Sequence, residues 1–194
     1  MIKALDLCES KFGTPPRIIV NAAGIAPTIR IISGKGVVHP LDAFERCLKV
    51  NVVGTFNVMR LASDRLIKKA EPLGTDKQRG VVINTASVAA YDGQIGQIAY
   101  SASKGAIVGM CITAARDLAQ HGIRVMTLAP GVFKTPMVAG FSQQVQDSLG
   151  AQVPFPSRLG DPDEYASMVQ TICENTYLNG EVIRLDGAIR MAPR

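Results

Sequence analysis

The feature that most constrains this chain is a series of short apolar strands that alternate with helical patterns. Residues 17–20, 80–84 and 123–128 form runs in which apolar and polar residues do not alternate, and a last strand is predicted at 181–185. A strand covered on both faces reads as a continuous apolar run, whereas a strand with one wet face alternates. Strands separated by helices favour a parallel sheet covered by helices. We therefore predict an α/β fold built on a doubly wound parallel sheet.

Helical patterns with recognisable start and stop signals fill the intervals between these strands. The first pattern ends at Gly13, the second opens with an Asp42–Glu45 capping box, and a later one has Asp161 and Pro162 at its start. No linker or internal repeat divides the sequence, so the whole chain, 1–194, is predicted to be a single domain. The predicted helices cover residues 5–12, 41–70, 100–120 and a segment that starts at 162.

Composition and charge exclude several classes of protein. Hydrophobic residues make up 47% and charged residues 19% of the chain, which excludes a disordered protein. No uninterrupted apolar run approaches the ~18 residues of a membrane span, so none is predicted. The net charge is +5, but no basic run exceeds Lys68-Lys69 and aromatic residues are only 5%. A nucleic-acid partner is therefore disfavoured, although a basic nucleic-acid-associated module remains an alternative.

The cysteines and histidines indicate neither disulfides nor a metal. The four cysteines never form a C-x-x-C pair, and the only histidines are His39 and His121. We expect reduced, buried thiols, no metal site and an intracellular protein. The sequence opens directly into an amphipathic helix without a secretory leader, so secretion is not expected. The cysteines are Cys8, Cys47, Cys111 and Cys173.

The residues that follow the strands are the candidates for chemistry, because ligands of open parallel sheets bind beyond the carboxyl ends of the strands. Asn21-Ala22-Ala23-Gly24 follows the first strand with small side chains that let a flat ligand approach the backbone. Ser87 follows the second strand. Tyr100 and Lys104 lie four residues apart on one helix and share a face. After the third strand, residues 130–135 form a turn that carries a hydroxyl.

Taken together, these residues resemble the motifs of the short-chain dehydrogenase/reductase family, and the likeness covers nearly the whole chain. The motifs are Asn21-Ala22-Ala23-Gly24, Asn51, Ser87, Tyr100-Ser-Ala-Ser-Lys104 and Pro130-Gly131. The resemblance implies a Rossmann-like fold and a nicotinamide-dependent oxidoreductase. Within the family, residues 80–90, 153–162 and 179–190 are similar to a mitochondrial branch that oxidises 3-hydroxyacyl-CoA thioesters with NAD.

The resemblance also implies a role for each motif residue. Tyr100 is the acid/base, and Ser87 holds the substrate oxygen. Lys104 lowers the phenol pKa from its usual value of about 10 and holds the nicotinamide ribose. Asn51 interrupts its helix and holds a water in a proton relay. The implied catalytic residues are Asn51, Ser87, Tyr100 and Lys104, the substrate contacts are Ser87 and Tyr100, and the cofactor contacts are Asn21, Ala22, Ala23, Gly24, Tyr100, Lys104, Pro130, Gly131, Phe133 and Thr135.

One family motif is not found in these residues. The family begins with a strand, a T-G-x-x-x-G-x-G turn, a helix and a strand that ends in an acidic residue, and the chain contains no such pattern. We expect it to lack the first two βα units, and with them the pyrophosphate site and the residue that distinguishes NAD from NADP. NAD would then bind these residues weakly. An inactive truncated form that acts as a scaffold or partner subunit is one alternative.

Substrate, assembly and location follow mainly from the resemblance, with some support from the residues. The expected substrate is a 3-hydroxyacyl-CoA, with hydroxysteroids and acyl-carrier-protein esters (as for a 3-ketoacyl-carrier-protein reductase) as alternatives. Residues 137–156 have the composition of an apolar lid, and Lys134 and Arg158 could favour an anionic CoA. The family implies a homotetramer built on helices with small residues such as Gly105 and Gly109. It also implies a mitochondrial location, with the cytoplasm as the alternative.

Overall fold

The computed structural model describes residues 1–193 and contains the predicted parallel sheet. Four strands lie side by side in the order β1-β2-β3-β4, and each neighbouring pair is parallel. Their bounds are Ile18–Asn21 for β1, Gly80–Thr85 for β2, Ile123–Pro130 for β3 and Val182–Leu185 for β4. All four strands therefore end at the same edge of the sheet.

Helices connect successive strands, as the right-handed crossovers of a parallel sheet require. Helix α1 precedes β1, α2 and α3 connect β1 to β2, α4 connects β2 to β3, and α5, α6 and α7 connect β3 to β4. The helices are α1 (Ile2–Phe12), α2 (Leu41–Leu48), α3 (Gly54–Lys69), α4 (Ile98–Ala119), α5 (Pro136–Ala139), α6 (Gln143–Ala151) and α7 (Pro162–Glu174).

The two faces of the sheet bury separate apolar clusters. On one face, Val82 and Val125 pack with Leu66 of α3. On the other face, Ile83 and Leu128 pack with Ile172 and its neighbours on α7. Because adjacent strand residues point to opposite faces, β2 and β3 need apolar residues at nearly every position. Their burial explains the absence of polar alternation in the sequence.

The predicted long helix at 41–70 is a composite of three pieces. A π-helical turn at Lys49–Val53 separates α2 from α3 and contains Asn51, at the interruption that the family resemblance implied. The predicted Asp42–Glu45 capping box is wrong. Pro40 is the residue before the helix, and no side-chain cap bond forms, because the first turn already includes Asp42. The capping box at the start of α7 is confirmed, with Asp161 and Glu164 making both reciprocal bonds.

Two further expectations change in the structure. Cys47 and Cys111 are buried, but the prediction of buried thiols is wrong for Cys8 and Cys173, which lie on the flanks of their helices and are half-buried. Helix α4 is long and apolar enough to cross a membrane by length and composition alone. Core helices share those properties, and α4 packs along β3, the second strand of its crossover.

Candidate active site

A cavity of about 790 Å³ opens at the carboxyl ends of the strands, where the fold is expected to bind a ligand. Its volume lies within the range of roughly 300–1,000 Å³ that is typical of small-molecule sites. Most of the predicted site residues line it: Ala22, Gly24, Ser87, Tyr100, Lys104, Pro130, Gly131, Phe133 and Thr135.

Ser87 and Tyr100 come together because the turn after β2 leads into α4. Ser87 begins a single 3₁₀ turn, Val88–Ala90, and its Oγ accepts a hydrogen bond from the Ala89 amide at 3.1 Å. This bond fixes the serine side chain, and its hydroxyl also interacts with the Tyr100 phenol. The two hydroxyls can therefore address one substrate oxygen from the same wall of the cavity.

Lys104 lies one helical turn beyond Tyr100 and is almost wholly buried. Its Nζ lies 5.6 Å from the centre of the Tyr100 ring and donates a hydrogen bond to the backbone carbonyl of Thr85 at 2.7 Å. Burial lowers the pKa of Lys104 from 10.5 to about 8. The ammonium is thus held at the floor of the cavity by the last residue of β2, an acceptor that the motif did not indicate.

The pKa of the Tyr100 phenol differs from the expectation. Burial raises this pKa above 10, and only the hydrogen bond with Ser87 opposes the rise. The predicted lowering by Lys104 is absent because Lys104, with a pKa of about 8, loses its charge before the phenol begins to ionise. Near neutrality the phenol therefore carries its proton and can act as an acid.

Asn51 does not line the cavity but stands behind it, fully buried. Its amide pairs with both backbone groups of Ile25: Nδ2 donates to the Ile25 carbonyl, and Oδ1 accepts from the Ile25 amide, each at 2.9 Å. Nδ2 also donates to Ser103 Oγ at 2.9 Å, and Ser103 in turn donates to the Tyr100 carbonyl at 2.7 Å. Asn51 thus ties the loop after β1 to the helix of Tyr100, and its part in a proton relay stays a prediction.

The loop after β1 provides a closely packed cradle. A Cβ at Gly24 would lie 3.2 Å from Asn51 Oδ1 and 3.7 Å from Lys104 Nζ, so a larger residue would crowd the lysine. Asn21 and Ala23 are not brought to the cavity wall. Asn21 Nδ2 instead donates to Asn84 Oδ1 at 2.9 Å and joins the ends of β1 and β2.

The loop after β3 also lines the cavity. Gly131 donates its amide to Leu185 of β4, and Phe133 pairs with Gly160 in a short parallel bridge. A Cβ at Gly160 would come within 2.8 Å of the Phe133 ring, so only glycine lets the ring lie where it does. Arg158, predicted to favour an anion, is already bound by the Glu164 carboxylate at 2.8 and 2.9 Å. The Arg158 charge is therefore already compensated within the protein.

Three contributors to the site were missed from the sequence. Thr85 supplies the carbonyl for Lys104, Ser103 links Asn51 to α4, and Tyr165 of α7 lines the cavity. Ser103 lies inside the Tyr100–Lys104 motif, and Thr85 directly follows the strand predicted at 80–84, so both positions carried a usable signal. Tyr165 could not be found in this way, because only the packing of α7 against the sheet brings it to the site.

Known proteins resemble this chain over nearly its whole length. The family model for short chain dehydrogenases matches residues 1–146. The Homo sapiens protein "3-hydroxyacyl-CoA dehydrogenase type-2" is 57% identical over 191 residues, which are 98% of this chain and 72% of that protein. Its Mus musculus counterpart is 56% identical with the same coverage. A crystal structure of 3-hydroxyacyl-CoA dehydrogenase type-2 from Mycobacterium avium matches with a TM-score of 0.90 and 38% identity, covering 100% of this chain and 75% of that one.

Proposed function

This chain belongs to the short-chain dehydrogenase family, and from that premise we propose that it catalyses the NAD-dependent interconversion of a 3-hydroxyacyl-CoA and a 3-ketoacyl-CoA. The single observation that carries the proposal is the placement of Ser87, Tyr100 and Lys104 on one cavity wall, in a chain more than half identical to proteins named for this reaction.

The residues present fit the nicotinamide end of such a cofactor. The cradle at Gly24 is one that a Cβ would fill, and it lies beside the Lys104 ammonium, a donor suited to a ribose hydroxyl. Residues 130–133 and Thr135 of the loop after β3 line the same cavity. When bound, the nicotinamide supplies the acceptor or donor of a hydride. NAD rather than NADP is proposed from the relatives' likeness alone.

Tyr100 carries the proton in this proposal. In the reduction of a ketone, its phenol donates the proton to the oxygen while the Ser87 hydroxyl hydrogen-bonds the same oxygen. In the oxidation, the phenolate takes the proton of the alcohol. Because burial raises the pKa of Tyr100, we expect oxidation to accelerate as the pH rises and reduction to be favoured at lower pH.

The apolar wall at residues 136–152 supports an acyl substrate. Val138, Phe141, Val145 and Leu149 line the cavity there. Such a surface suits an aliphatic chain or a flat steroid, so hydroxysteroids are the second candidate substrate. An acyl-carrier-protein ester, which would bring a whole protein to the cavity mouth, is the third candidate substrate.

The test is an assay of NADH formation with 3-hydroxybutyryl-CoA, a 17-hydroxysteroid and a 3-hydroxyacyl-carrier-protein ester. It is run on the 194-residue chain and on the same chain preceded by the N-terminal segment of the Homo sapiens relative. The highest kcat/KM is expected with the acyl-CoA. An acyl-CoA that is the poorest of the three substrates would contradict the proposed substrate while leaving the oxidoreductase intact.

We propose that the 194 residues form one domain that corresponds to the family fold from its third βα unit onward, since they align with 72–74% of the type-2 relatives. A homotetramer is supported by open small-residue sites at Gly105 and Gly109 and by the exposed Ile112 on the same helix. Analytical ultracentrifugation tests it. A mitochondrial location is proposed from the resemblance and is tested by imaging the tagged protein.

A further inference from the structure

Tyr165 is a second phenol at the cavity, and no motif accounts for it. It follows Glu164 in the first turn of α7, where the capping box fixes the start of the helix. Its ring packs edge-on against Phe133, with centroids 6.4 Å apart and planes at 89°. Burial raises the pKa of the phenol, so the hydroxyl stays protonated and available for hydrogen bonding.

The hydroxyl of Tyr165 lies 2.6 Å from Thr85 Oγ1. Side chains alternate along a strand, so Thr85 points to the same face as Val81 and Ile83. Those two residues pack in the cluster that includes Tyr165. The bond therefore joins the end of β2 to α7 across one face of the sheet.

The backbone of the same threonine holds Lys104 of α4, a helix on the other face of the sheet. The β1–β2 pairing ends at Asn84, so the ladder fixes Thr85 on its β3 side only, opposite Leu128. Its carbonyl accepts the hydrogen bond from Lys104 Nζ at 2.7 Å. Thr85 is thus bound by α7 through its side chain and by α4 through its carbonyl. It lies at the end of β2, where the strand no longer pairs with β1.

We propose that Tyr165 is a positioning residue whose hydroxyl fixes Thr85 and, through the Thr85 carbonyl, sets the place of the Lys104 ammonium beside Tyr100. The importance of this role for catalysis rests on the proposed function, whereas its effect on the position of the Lys104 ammonium does not. Removing the hydroxyl leaves the Phe133 contact in place but frees the Thr85 side chain. The carbonyl then becomes a poorer acceptor for the buried ammonium.

The direction of the effect follows from the surroundings of Lys104. In the described residues, the titratable groups that face it are the Tyr100 phenol on its own helix and the Cys47 thiol on α2. Neither changes in a Tyr165→Phe variant. A weaker carbonyl bond destabilises the ammonium while the burial is unchanged, so the pKa of Lys104 must fall further below its usual value.

The test is competitive acetylation of the 194-residue chain with acetic anhydride, read by peptide mass spectrometry. Only neutral amines react, so a lower pKa means faster labelling. In Tyr165→Phe we expect Lys104 labelling at neutral pH to rise about threefold, equivalent to about half a pKa unit. The exposed Lys49 serves as the internal reference, and Tyr177→Phe, at a tyrosine that is 98% exposed, serves as the matched control.

The partner hydroxyl gives a second, independent set of variants. Thr85→Val should raise Lys104 labelling as Tyr165→Phe does, whereas Thr85→Ser, which keeps the hydroxyl, should label like wild type. The double variant Tyr165→Phe/Thr85→Val should raise Lys104 labelling no further than either single variant. Unchanged Lys104 labelling in both Tyr165→Phe and Thr85→Val overturns the proposal, and so does full additivity in the double variant. A failure of the proposed function would be seen separately, as wild-type protein without turnover of 3-hydroxyacyl-CoA.

Discussion

The two walls of the cavity are built in opposite ways. The catalytic wall, defined by Ser87, Tyr100 and Lys104, stands on the end of β2 and on α4. Ser87 is only 8% exposed there and Lys104 only 4%. The loop wall, defined by residues 136–152, stands on the short helices α5 and α6, where Phe141 is 52% exposed and Val145 43%. The proposed reacting groups are buried against the core, whereas the apolar surface that we propose for the rest of the substrate is about half exposed.

This difference separates chemistry from selectivity. A buried wall holds its groups in place and shifts their pKa values, as it does for Tyr100 and Lys104. An exposed apolar wall supplies contact area and can move without disturbing the sheet. Changes on the catalytic wall should therefore alter kcat and the pH dependence, and changes on the loop wall should alter KM.

The largest effect is expected from Tyr100→Phe. The variant keeps the ring and its packing but removes the group that exchanges a proton with the substrate. In whichever of the two assayed chains turns over the substrate, kcat should fall on the order of a thousandfold, with the melting temperature nearly unchanged. Steady-state kinetics and thermal melting measure both. Turnover within tenfold of wild type would exclude Tyr100 as the acid/base.

The next largest effect concerns the stability of the catalytic wall. The pKa of Lys104 is lowered to about 8 in the folded protein and returns to 10.5 on unfolding, a difference worth about 3 kcal/mol. Below pH 8 the folded state must bury the ammonium, so this contribution disfavours folding. It diminishes as the pH rises from 8 to 10.5. Lys104→Met should therefore abolish about 3 kcal/mol of the stability gain between neutral and alkaline pH.

Urea unfolding at pH 7 and at pH 10 measures most of this gain, because the lysine of the unfolded chain titrates at 10.5. Lys49→Met is the matched control, because it removes an exposed lysine next to α2 and should leave the wild-type pH dependence in place. A Lys104→Met variant with the same pH dependence as wild type would show that the lysine is not buried as an ammonium.

The loop wall should respond more weakly and in KM. Phe141 is about half exposed, so Phe141→Ser removes about half of the apolar area that a fully buried phenylalanine would contribute. We expect KM for a medium-chain 3-hydroxyacyl-CoA to rise about fivefold with kcat little changed. Phe155→Ser is the control, since Phe155 is 82% exposed and does not line the cavity. A drop in kcat without a change in KM would place Phe141 on the catalytic side.

The catalytic wall was largely predictable from the sequence and the loop wall only in composition. Tyr100 and Lys104 are one helical turn apart, so local geometry fixes their common face, and Ser87 follows a strand that could be read from its apolar run. The position of Asn51 depends on a π-helical turn and on pairing with Ile25, contacts between segments that are distant in the sequence. Tyr165 and Thr85 are 80 residues apart in the sequence and come into contact only because α7 packs on the sheet. No local sequence pattern predicts that contact.

The pKa of Tyr100 was mispredicted for a related reason. The i and i+4 spacing places Lys104 near the phenol, but it does not determine how deeply the two groups are buried. Burial lowers the pKa of Lys104 to about 8 and raises that of Tyr100, so the lysine is already neutral when the phenol ionises. Spacing along a helix predicts proximity, whereas the direction of a pKa shift also requires the surroundings in three dimensions.

The smallest effect is expected at the start of α7. There Glu164 is bound by Arg158 and by the Asp161 amide, and these bonds lower its pKa to about 2. A carboxylate with a lowered pKa stabilises the fold above its unfolded value of 4.5 and loses that contribution as the pH falls towards 2. Since the pair is exposed, we expect Glu164→Gln to lower the melting temperature at pH 7 by only a few degrees. The difference from wild type should shrink below about pH 4.5. Asp163→Asn removes the same charge from the same turn but leaves the Arg158 pair intact, so it should lack this pH dependence. If instead Glu164→Gln changes KM as much as Phe141→Ser does, the start of α7 belongs with the loop wall and moves with it.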